Sequence, residues 1–377
     1  MENSINTITM YDATRNYKLH QEEFDSIINK ILLEGKYING PEVQELEKKL
    51  CQFTNSKYCI GLSSGTDALL LALMALDIKE NDEIITTSFT WISTSEVISL
   101  LKAKPVFVDI DPLTFNIDTH KIEEKITKNT KAILPVSIFG KMCDLNNIMK
   151  IAKKYNLYVI EDAAQSLGSK FNNIKSCSMA DISCTSFYPT KSLGCFGDGG
   201  ACFTNDEKLY YKIKALKDHG CLQRNNHTLI GINGRLDTIQ AGILLVKLKY
   251  FKSDLENRIK NANLYNEAFK NCKNITIPYK HKDDYHIYSQ YTIKLKKPEL
   301  RNDFIENLKK NNINISVFYP NPLHLQTCFN YLNYSKGDLS ITEKISETVV
   351  SLPVYPDLLN KEIEKIINII INWDKKN

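Results

Sequence analysis

The chain contains an apolar run that ends in two acidic residues: Leu157-Tyr158-Val159-Ile160-Glu161-Asp162-Ala163-Ala164-Gln165-Ser166. Four consecutive apolar residues before a polar turn predict a buried strand. Asp162 would then lie at the carboxyl end of that strand. In an open α/β sheet, the carboxyl ends of the strands border the ligand crevice. The stretch therefore predicts an α/β fold in which Asp162 faces a bound ligand.

The same alternation continues on both sides of this run, from about residue 41 to residue 204. Short apolar segments predict strands at residues 58–62, 83–87, 105–109, 132–136, 157–160, 182–186 and 200–204. Segments with helical spacing of apolar residues predict helices at residues 41–53, 67–76, 92–101, 119–126 and 145–155. Regular alternation of buried strands and helices predicts a mostly parallel, doubly wound sheet.

The pattern changes after a long helix predicted at residues 236–256. One alternating strand and two helices follow, at residues 288–295, 301–309 and 361–373. Fewer and more segregated elements are typical of a smaller α+β domain. We therefore expect a large ligand-binding domain at residues 1–250 and a small C-terminal domain at residues 251–377, with the N-terminal segment able to pack on the small domain.

Composition excludes several classes of function. A net charge of +4 with interspersed charges gives no basic stripe for nucleic acid. The longest strictly apolar run spans residues 68–76, whereas a membrane helix needs about 20 residues. Residues 1–6 show no signal-peptide pattern, so we expect a cytoplasmic protein. The ten cysteines match no zinc spacing, and we expect no metal.

A lysine follows Asp162 within a glycine-rich stretch: Ser186-Phe187-Tyr188-Pro189-Thr190-Lys191-Ser192-Leu193-Gly194-Cys195-Phe196-Gly197-Asp198-Gly199-Gly200. The proline turn lets the Ser186 hydroxyl and the Lys191 amine converge on one small anion-bearing ligand. Pyridoxal phosphate (PLP) chemistry needs a lysine that forms a Schiff base and a carboxylate that keeps the pyridine nitrogen protonated. We therefore predict that Lys191 and Asp162 are catalytic residues of a PLP enzyme.

A second polar stretch follows a predicted strand and opens a helix: Ser63-Ser64-Gly65-Thr66-Asp67-Ala68-Leu69. Free N–H groups and the dipole at a helix N-terminus favour phosphate. Gly65, Thr66 and Asp67 are therefore candidate cofactor contacts. An ordinary helix-capping sequence is the alternative interpretation.

Three further residues are candidates for ligand contact. Trp91 could stack on a planar cofactor, although an aromatic residue at a helix start is more often part of a core. Tyr319 and His324 lie in a turn-rich segment, residues 318–324, that could reach a polar ligand.

Together these stretches resemble the sugar-nucleotide aminotransferases, the DegT-type branch of the fold type I PLP enzymes. The resemblance covers essentially the whole chain, and its most similar stretches are residues 64–69, 105–110, 161–166 and 233–237. It implies that Lys191 forms the Schiff base, that Asp162 pairs with the pyridinium and that Gln165 lies against the ring. It also implies that Thr66, Ser186 and Asn233 contact the phosphate, and that Trp91 stacks on the ring.

In this family the residue at Asn233 comes from the neighbouring subunit, so the resemblance implies a homodimer with shared sites. The expected substrate contacts are Arg235, Tyr319 and His324. Two positions depart from the family pattern: Gly234 stands where Ser is frequent, and Phe318 stands where many relatives carry a substrate-contacting His. Dehydratase-like relatives replace the residue at Lys191 with His, so the intact lysine favours amino transfer.

The lysine stretch also indicates a substrate. Gly197-Asp198-Gly199-Gly200 resembles relatives that act at the sugar C3 position, whereas relatives that act at C4 more often read Gly-Glu-Gly-Gly. The predicted reaction is transfer from L-glutamate to UDP-2-acetamido-2-deoxy-3-oxo-glucuronate, for surface polysaccharide or glycan biosynthesis. The alternatives are a dTDP-3-oxo-6-deoxyhexose, a 4-oxo UDP-sugar, and a regulatory relative that binds PLP or a sugar without turnover. The intact Asp162–Lys191 pair argues against the last, because a non-catalytic binder has no chemical use for both.

Overall fold

The computed structural model describes residues 7–377; residues 1–6, which carry the expectation about secretion, lie outside them. The helices are α1 (Ala13–Leu19), α2 (Gln21–Glu34), α3 (Pro41–Thr54), α4 (Gly65–Ala75), α5 (Ser93–Leu100), α6 (Leu145–Tyr155), α7 (Glu207–Leu216), α8 (Thr238–Phe269), α9 (Leu300–Lys310), α10 (Ser340–Thr348) and α11 (Asn360–Lys376). The strands are β1 (Tyr58–Leu62), β2 (Glu83–Thr87), β3 (Lys104–Val108), β4 (Thr130–Leu134), β5 (Tyr158–Asp162), β6 (Lys170–Phe171), β7 (Ile174–Lys175), β8 (Ile182–Ser186), β9 (Gly200–Thr204), β10 (Cys221–Gln223), β11 (Asn226–His227), β12 (Ile275–Thr276), β13 (Asp284–Tyr285), β14 (Tyr291–Leu295) and β15 (Val349–Leu352).

A seven-stranded sheet forms the centre of the molecule, in the order β1-β9-β8-β5-β4-β2-β3. Strand β9 runs antiparallel to both of its neighbours, and the remaining strand pairs are parallel. Parallel strands need helical crossovers, which cover both faces of the sheet. The predicted α/β fold with a mostly parallel, doubly wound sheet is confirmed.

Alternate residues of each strand enter different hydrophobic clusters, which gives the fold its three layers. In β5, Ile160 packs against the cluster that contains α4, α5 and α7, whereas Val159 packs with α6 on the other side. Helix α4 has almost no polar face because β8, β9, α5 and α7 surround it. The N-terminus of α4 is thereby held firmly beside the ends of β8 and β9.

Two predicted helices differ from the structure. Residues 119–126 form two separate 3₁₀ turns, Thr119–Lys121 and Glu123–Lys125, in place of one α-helix. Ile122 is fully buried there, and a single buried side chain gives a helix too little apolar surface to stabilise it. The helix predicted at residues 236–256 continues to Phe269, because Ala262, Tyr265 and Phe269 extend its buried face.

Helix α8 passes through the expected domain boundary between residues 250 and 251. Its first half packs under the lysine stretch through Leu244 and Phe251, and its last turns pack through Tyr265 and Phe269 into a C-terminal cluster. That cluster joins α9, α11 and a three-stranded antiparallel sheet, β12-β14-β15. We propose that the two domains share α8, so that no linker separates them.

The N-terminal segment packs on the C-terminal cluster. Ile8 pairs with Ile313 as an isolated parallel bridge and is buried in that cluster. Arg15 makes a bidentate contact with Glu362, at 2.7 Å for both nitrogen–oxygen pairs. Across residues 7–377, no helix is long and apolar enough to span a bilayer, and no group of three metal-ligating side chains is found.

Candidate active site

A cavity of about 450 Å³ opens at the carboxyl edge of the parallel strands. Asp162 ends strand β5, and Lys191 lies on the loop between β8 and β9. Eight residues predicted to contact a cofactor or substrate line the cavity together: Gly65, Thr66, Trp91, Asp162, Gln165, Ser186, Lys191 and Tyr319. A larger surface groove, of about 800 Å³, lies between α3 and α7, away from these residues.

Asp162 is buried at the floor of the cavity. Its Oδ2 accepts a hydrogen bond from Thr94 Oγ1 at 2.8 Å, and its Oδ1 accepts one from the Ala164 backbone N–H at 3.1 Å. Burial raises the pKa of this carboxyl, while the two hydrogen bonds and the positive charge of Lys191 oppose that rise. The surrounding donors are therefore arranged for the ionised form of Asp162.

Lys191 faces the same cavity from the loop between β8 and β9. Burial lowers the pKa of its amine, and the negative charge of Asp162 opposes that effect. A lysine is a nucleophile or a base only when it is unprotonated, so a lowered pKa increases the reactive fraction at neutral pH. The position and the electrostatics of Lys191 agree with the role predicted for it.

The start of α4 forms the predicted anion cradle. A Cβ at Gly65 would lie 2.7 Å from Ser186 Cβ, and a Cβ at Gly200 would lie 2.3 Å from the Ser64 carbonyl oxygen. Both positions therefore require glycine, because the two backbones approach so closely. Ser64 caps the helix through the Asp67 N–H at 3.0 Å. The first-turn N–H groups of α4 can receive the phosphate of PLP.

Gln165 and Tyr319 meet at the side of the cavity. Gln165 Nε2 donates to the Tyr319 hydroxyl at 3.1 Å, and its Oε1 accepts from the Phe139 N–H at 2.8 Å. These bonds fix the Gln165 amide plane, as a residue lying against a ring requires. Trp91 stands at the mouth of the cavity with 61% of its surface exposed, so it is free to cover a bound cofactor.

Two predicted contacts lie elsewhere. Asp67 is not part of the cavity lining, and its carboxylate accepts a hydrogen bond from Ser63 Oγ. His324 is buried, with Nδ1 2.7 Å from Ser88 Oγ and Nε2 3.1 Å from Glu343 Oε1. Its ring joins the loop after β2 to the C-terminal part of the chain. Neither side chain lines the cavity, so the geometry gives no support to Asp67 as a cofactor contact or to His324 as a substrate contact.

Asn233 and Arg235 also lie outside the cavity of their own chain. Arg235 forms an ion pair with Asp218, and the Asn233 side chain is exposed to solvent. Backbone bridges hold this segment in place, between Asn233 and Asp218 and between Arg235 and Leu62. A contact from either side chain to a cofactor would have to be made in another subunit.

Several residues that line the cavity or contact its lining side chains were missed from the sequence. Thr94 contacts Asp162, Ser93 contacts Thr66 at 2.8 Å between their hydroxyl oxygens, and Gln290 lines the wall. The signal for the first two is the run of small hydroxyl residues after Trp91, which begins α5. Gln290 comes from a distant part of the chain, and no local pattern marks it.

The residues present fit PLP at its phosphate, its aldehyde and its ring nitrogen. The α4 cradle suits the phosphate, the Lys191 amine suits covalent attachment, and the buried Asp162 carboxylate suits the ring nitrogen. A doubly wound α/β fold with such a cavity at its carboxyl edge defines the class of protein: it is a PLP-dependent enzyme.

Comparison with known proteins identifies the family. The model of the DegT/DnrJ/EryC1/StrS aminotransferase family matches residues 18–371, so the chain belongs to that family of PLP-dependent aminotransferases. A Pseudomonas aeruginosa relative, UDP-2-acetamido-2-deoxy-3-oxo-D-glucuronate aminotransferase, is 42% identical over 93% of this chain and 96% of its own. The dTDP-3-amino-3,6-dideoxy-alpha-D-galactopyranose transaminase of Aneurinibacillus thermoaerophilus is 40% identical over 93% and 95%.

Solved structures agree with this assignment. The chain is similar to S. venezuelae DesV with a TM-score of 0.95 and 30% identity, over 98% of this chain and 99% of that one. It is also similar to ntda from Bacillus subtilis, solved with bound cofactor PMP, with a TM-score of 0.88 and 32% identity over 94% and 82%. The predicted aminotransferase family, fold and cofactor are confirmed; the roles of the individual residues stay predictions.

Proposed function

We propose that this chain transfers the amino group of L-glutamate to C3 of a nucleotide-linked 3-oxo sugar. The first candidate acceptor is UDP-2-acetamido-2-deoxy-3-oxo-glucuronate, and the product would serve surface polysaccharide or glycan biosynthesis. The observation that carries the proposal is the 42% identity to an enzyme named for that acceptor. The Gly197-Asp198-Gly199-Gly200 stretch supports action at C3.

Each cavity residue has a separate proposed role in such a reaction. When bound, PLP supplies an electron sink for the carbon that loses a proton. Asp162 would hold a positive charge on the ring nitrogen, and Lys191 Nζ would accept and return the proton of the reacting carbon. The first turn of α4 and Ser186 would hold the phosphate, while Gln165 and Trp91 would fix the plane of the ring.

A second acceptor class is a dTDP-linked 3-oxo-6-deoxyhexose, because the 40% identical transaminase makes a dTDP-3-amino-3,6-dideoxy sugar by its name. The two acceptors differ in the nucleotide and in the groups at C2 and C6, which are an acetamido group and a carboxylate in the glucuronate. A 4-oxo UDP-sugar remains the third alternative. Each would bind the same cofactor, so PLP binding does not separate them.

A panel of acceptors tests the proposal. The purified protein would be incubated with L-glutamate and one acceptor at a time: UDP-2-acetamido-2-deoxy-3-oxo-glucuronate, a dTDP-3-oxo-6-deoxyhexose or a 4-oxo UDP-sugar. The amino-sugar product of each reaction would be measured by mass spectrometry. We expect kcat/KM for the UDP-3-oxo-glucuronate to exceed the others by about 10²-fold, as a site built for a polar group rejects analogues that lack it. Preference for either other acceptor would contradict the proposal.

We also propose a homodimer in which each site is completed by the partner subunit. The motivation is that the Asn233 side chain is exposed and its backbone is held by a bridge to Asp218, yet it does not line the cavity of its own chain. The adjoining hairpin presents apolar side chains to solvent, with Leu222 58% and Ile230 90% exposed. Exposed apolar side chains next to a functional segment are typical of an interface.

Mixing two inactive variants tests the shared site. Lys191→Ala protein and Asn233→Ala/Arg235→Ala protein would be combined under conditions of subunit exchange. With isologous two-fold packing, half of the dimers are mixed and each has one intact site, so activity should return to about a quarter of the wild-type value. Lys191→Ala mixed with itself is the control. No recovery after proven exchange would rule out a shared site.

We further propose a cytoplasmic location. All ten cysteines are free thiols in the structure, although Cys184 and Cys202 lie only 3.7 Å apart between sulfur atoms. A chain with ten cysteines and no disulfide among them is typical of a reducing compartment.

A further inference from the structure

We propose that Thr94 is a positioning residue that keeps Asp162 ionised and aimed at the cofactor. The inference rests on the proposed role of Asp162 and goes beyond it, because it assigns the group on which that role depends. Thr94 lies in the first turn of α5 and is completely buried. Its hydroxyl is the side-chain donor to Asp162, with the 2.8 Å bond to Oδ2.

The direction of the hydrogen bonds is fixed by chemistry. An ionised carboxylate only accepts, so Thr94 Oγ1 must donate to Asp162. The Thr90 hydroxyl lies 3.1 Å from Thr94 Oγ1 and therefore donates to it in turn. Thr90 lines the cavity, and its hydroxyl proton is used in the hydrogen bond to Thr94. The three side chains form one chain of hydrogen bonds that ends on the carboxylate.

With these two hydrogen bonds in place, the Asp162 carboxylate can accept a further hydrogen bond from the cavity. Thr94 occupies Oδ2 and the Ala164 N–H occupies Oδ1, and each carboxylate oxygen retains capacity for one more donor. The remaining capacity can be met from the cavity by a protonated ring nitrogen. Two neutral donors also favour the charged form in a site where burial disfavours it. Without Thr94, the carboxylate would lose half of that support.

Other ionisable groups that face Asp162 do not replace this donor. Lys191 approaches from the lysine stretch and lowers the pKa of the carboxyl. Lys191 is also the reacting amine, so its charge is not constant during turnover. Burial is the main cause of the raised pKa of Tyr319 and of Cys184, and the negative charge of Asp162 adds to both rises. Thr94 is thus the side chain whose support is independent of pH.

Two substitutions test the inference. Thr94→Val keeps the shape and removes the donor, whereas Thr94→Ser keeps the donor. We expect Thr94→Val to bind PLP about 10- to 100-fold more weakly in equilibrium titration, the usual cost of losing a buried hydrogen bond to a charged group. For the half-reaction with glutamate, kcat should fall with little change in KM. Thr94→Ser should stay within threefold of wild type by both measures.

The pH dependence gives an independent readout. The ionised form of Asp162 is the active one, and loss of a donor to that form raises its pKa. The acid limb of PLP affinity should therefore move to higher pH in Thr94→Val and not in Thr94→Ser. The matched control is Thr86→Val, which removes a buried threonine bond of 2.7 Å to the Leu134 carbonyl outside the cavity. It should lower the melting temperature and leave the acid limb unchanged.

Two results would overturn the inference. One is wild-type PLP affinity and an unmoved acid limb in Thr94→Val. The other is a Thr94→Ser protein as impaired as Thr94→Val, since the methyl group and not the hydroxyl would then matter. Failure of the proposed sugar specificity is a separate outcome, because PLP affinity and the glutamate half-reaction are measured without any sugar.

Discussion

Replacing Lys191 by alanine is expected to reduce turnover by at least about 10³-fold while the protein stays folded. The amine is proposed both to attach the cofactor and to move the proton of the reacting carbon, and general acid–base catalysis alone accounts for about 10²- to 10⁴-fold. The side chain faces a cavity, so its removal leaves no void in a packed core. Steady-state kinetics with glutamate and the keto-sugar acceptor would measure the loss.

A chemical readout accompanies the kinetics. Borohydride reduction of the wild-type protein should fix the cofactor on the peptide that contains Lys191, as mass spectrometry would show, and the variant should carry no such label. Lys175→Ala is the matched control: burial also lowers the pKa of Lys175, but its amine donates to the Phe53 carbonyl, outside the cavity. A labelled Lys191→Ala protein, or one with turnover within tenfold of wild type, would refute the assignment.

Replacing Asp162 by asparagine is expected to preserve PLP binding in weakened form and to slow proton abstraction by about 10²-fold or more. Asparagine can still hydrogen bond to a ring nitrogen, but it carries no charge to keep that nitrogen protonated. Loss of a charge-assisted partner in a buried site costs a few kcal/mol, which corresponds to about 10² in rate. A single-turnover experiment with glutamate isolates this step.

Asp181→Asn is the control for this substitution. Asp181 is also an aspartate whose pKa is raised by burial, but it accepts a hydrogen bond from the Val159 N–H at 2.7 Å, at the opposite end of β5. Its replacement should affect stability without slowing the glutamate half-reaction. If Asp162→Asn reacted as fast as wild type, Asp162 could not be the partner of the ring nitrogen.

Much of the fold follows from local pattern. The apolar run before Asp162 predicted β5, and the strands at residues 83–87, 182–186 and 200–204 have the predicted bounds. These strands are buried almost throughout, and short segments of mainly apolar, small and hydroxyl residues mark each one. Residues 119–126 were mistaken for a helix, because helical spacing alone does not show how much surface the segment buries.

The catalytic roles in the cavity were predictable from chemistry where one residue type performs a distinct task; the other predicted lining residues came from local patterns and from the family resemblance. Lys191 and Asp162 met that condition. Thr94 did not, since hydroxyl residues are common at helix starts and its role depends on the position of β5 in space. The contacts of His324 were unpredictable for the same reason: nothing in residues 318–324 indicates that its ring nitrogens lie beside Ser88 and Glu343. The role proposed for Asn233 requires a second chain, which a single sequence cannot place.

The continuity of α8 couples the local unfolding of the two hydrophobic clusters that it joins. Leu244 and Phe251 complete one hydrophobic cluster, and Tyr265 and Phe269 complete the other, all on one uninterrupted helix. Neither cluster can lose the helix and remain closed, so their local unfolding equilibria are coupled. The lysine stretch rests on the first of these clusters. The stability of the lysine stretch against local unfolding therefore depends also on packing in the C-terminal cluster, whose residues do not line the cavity.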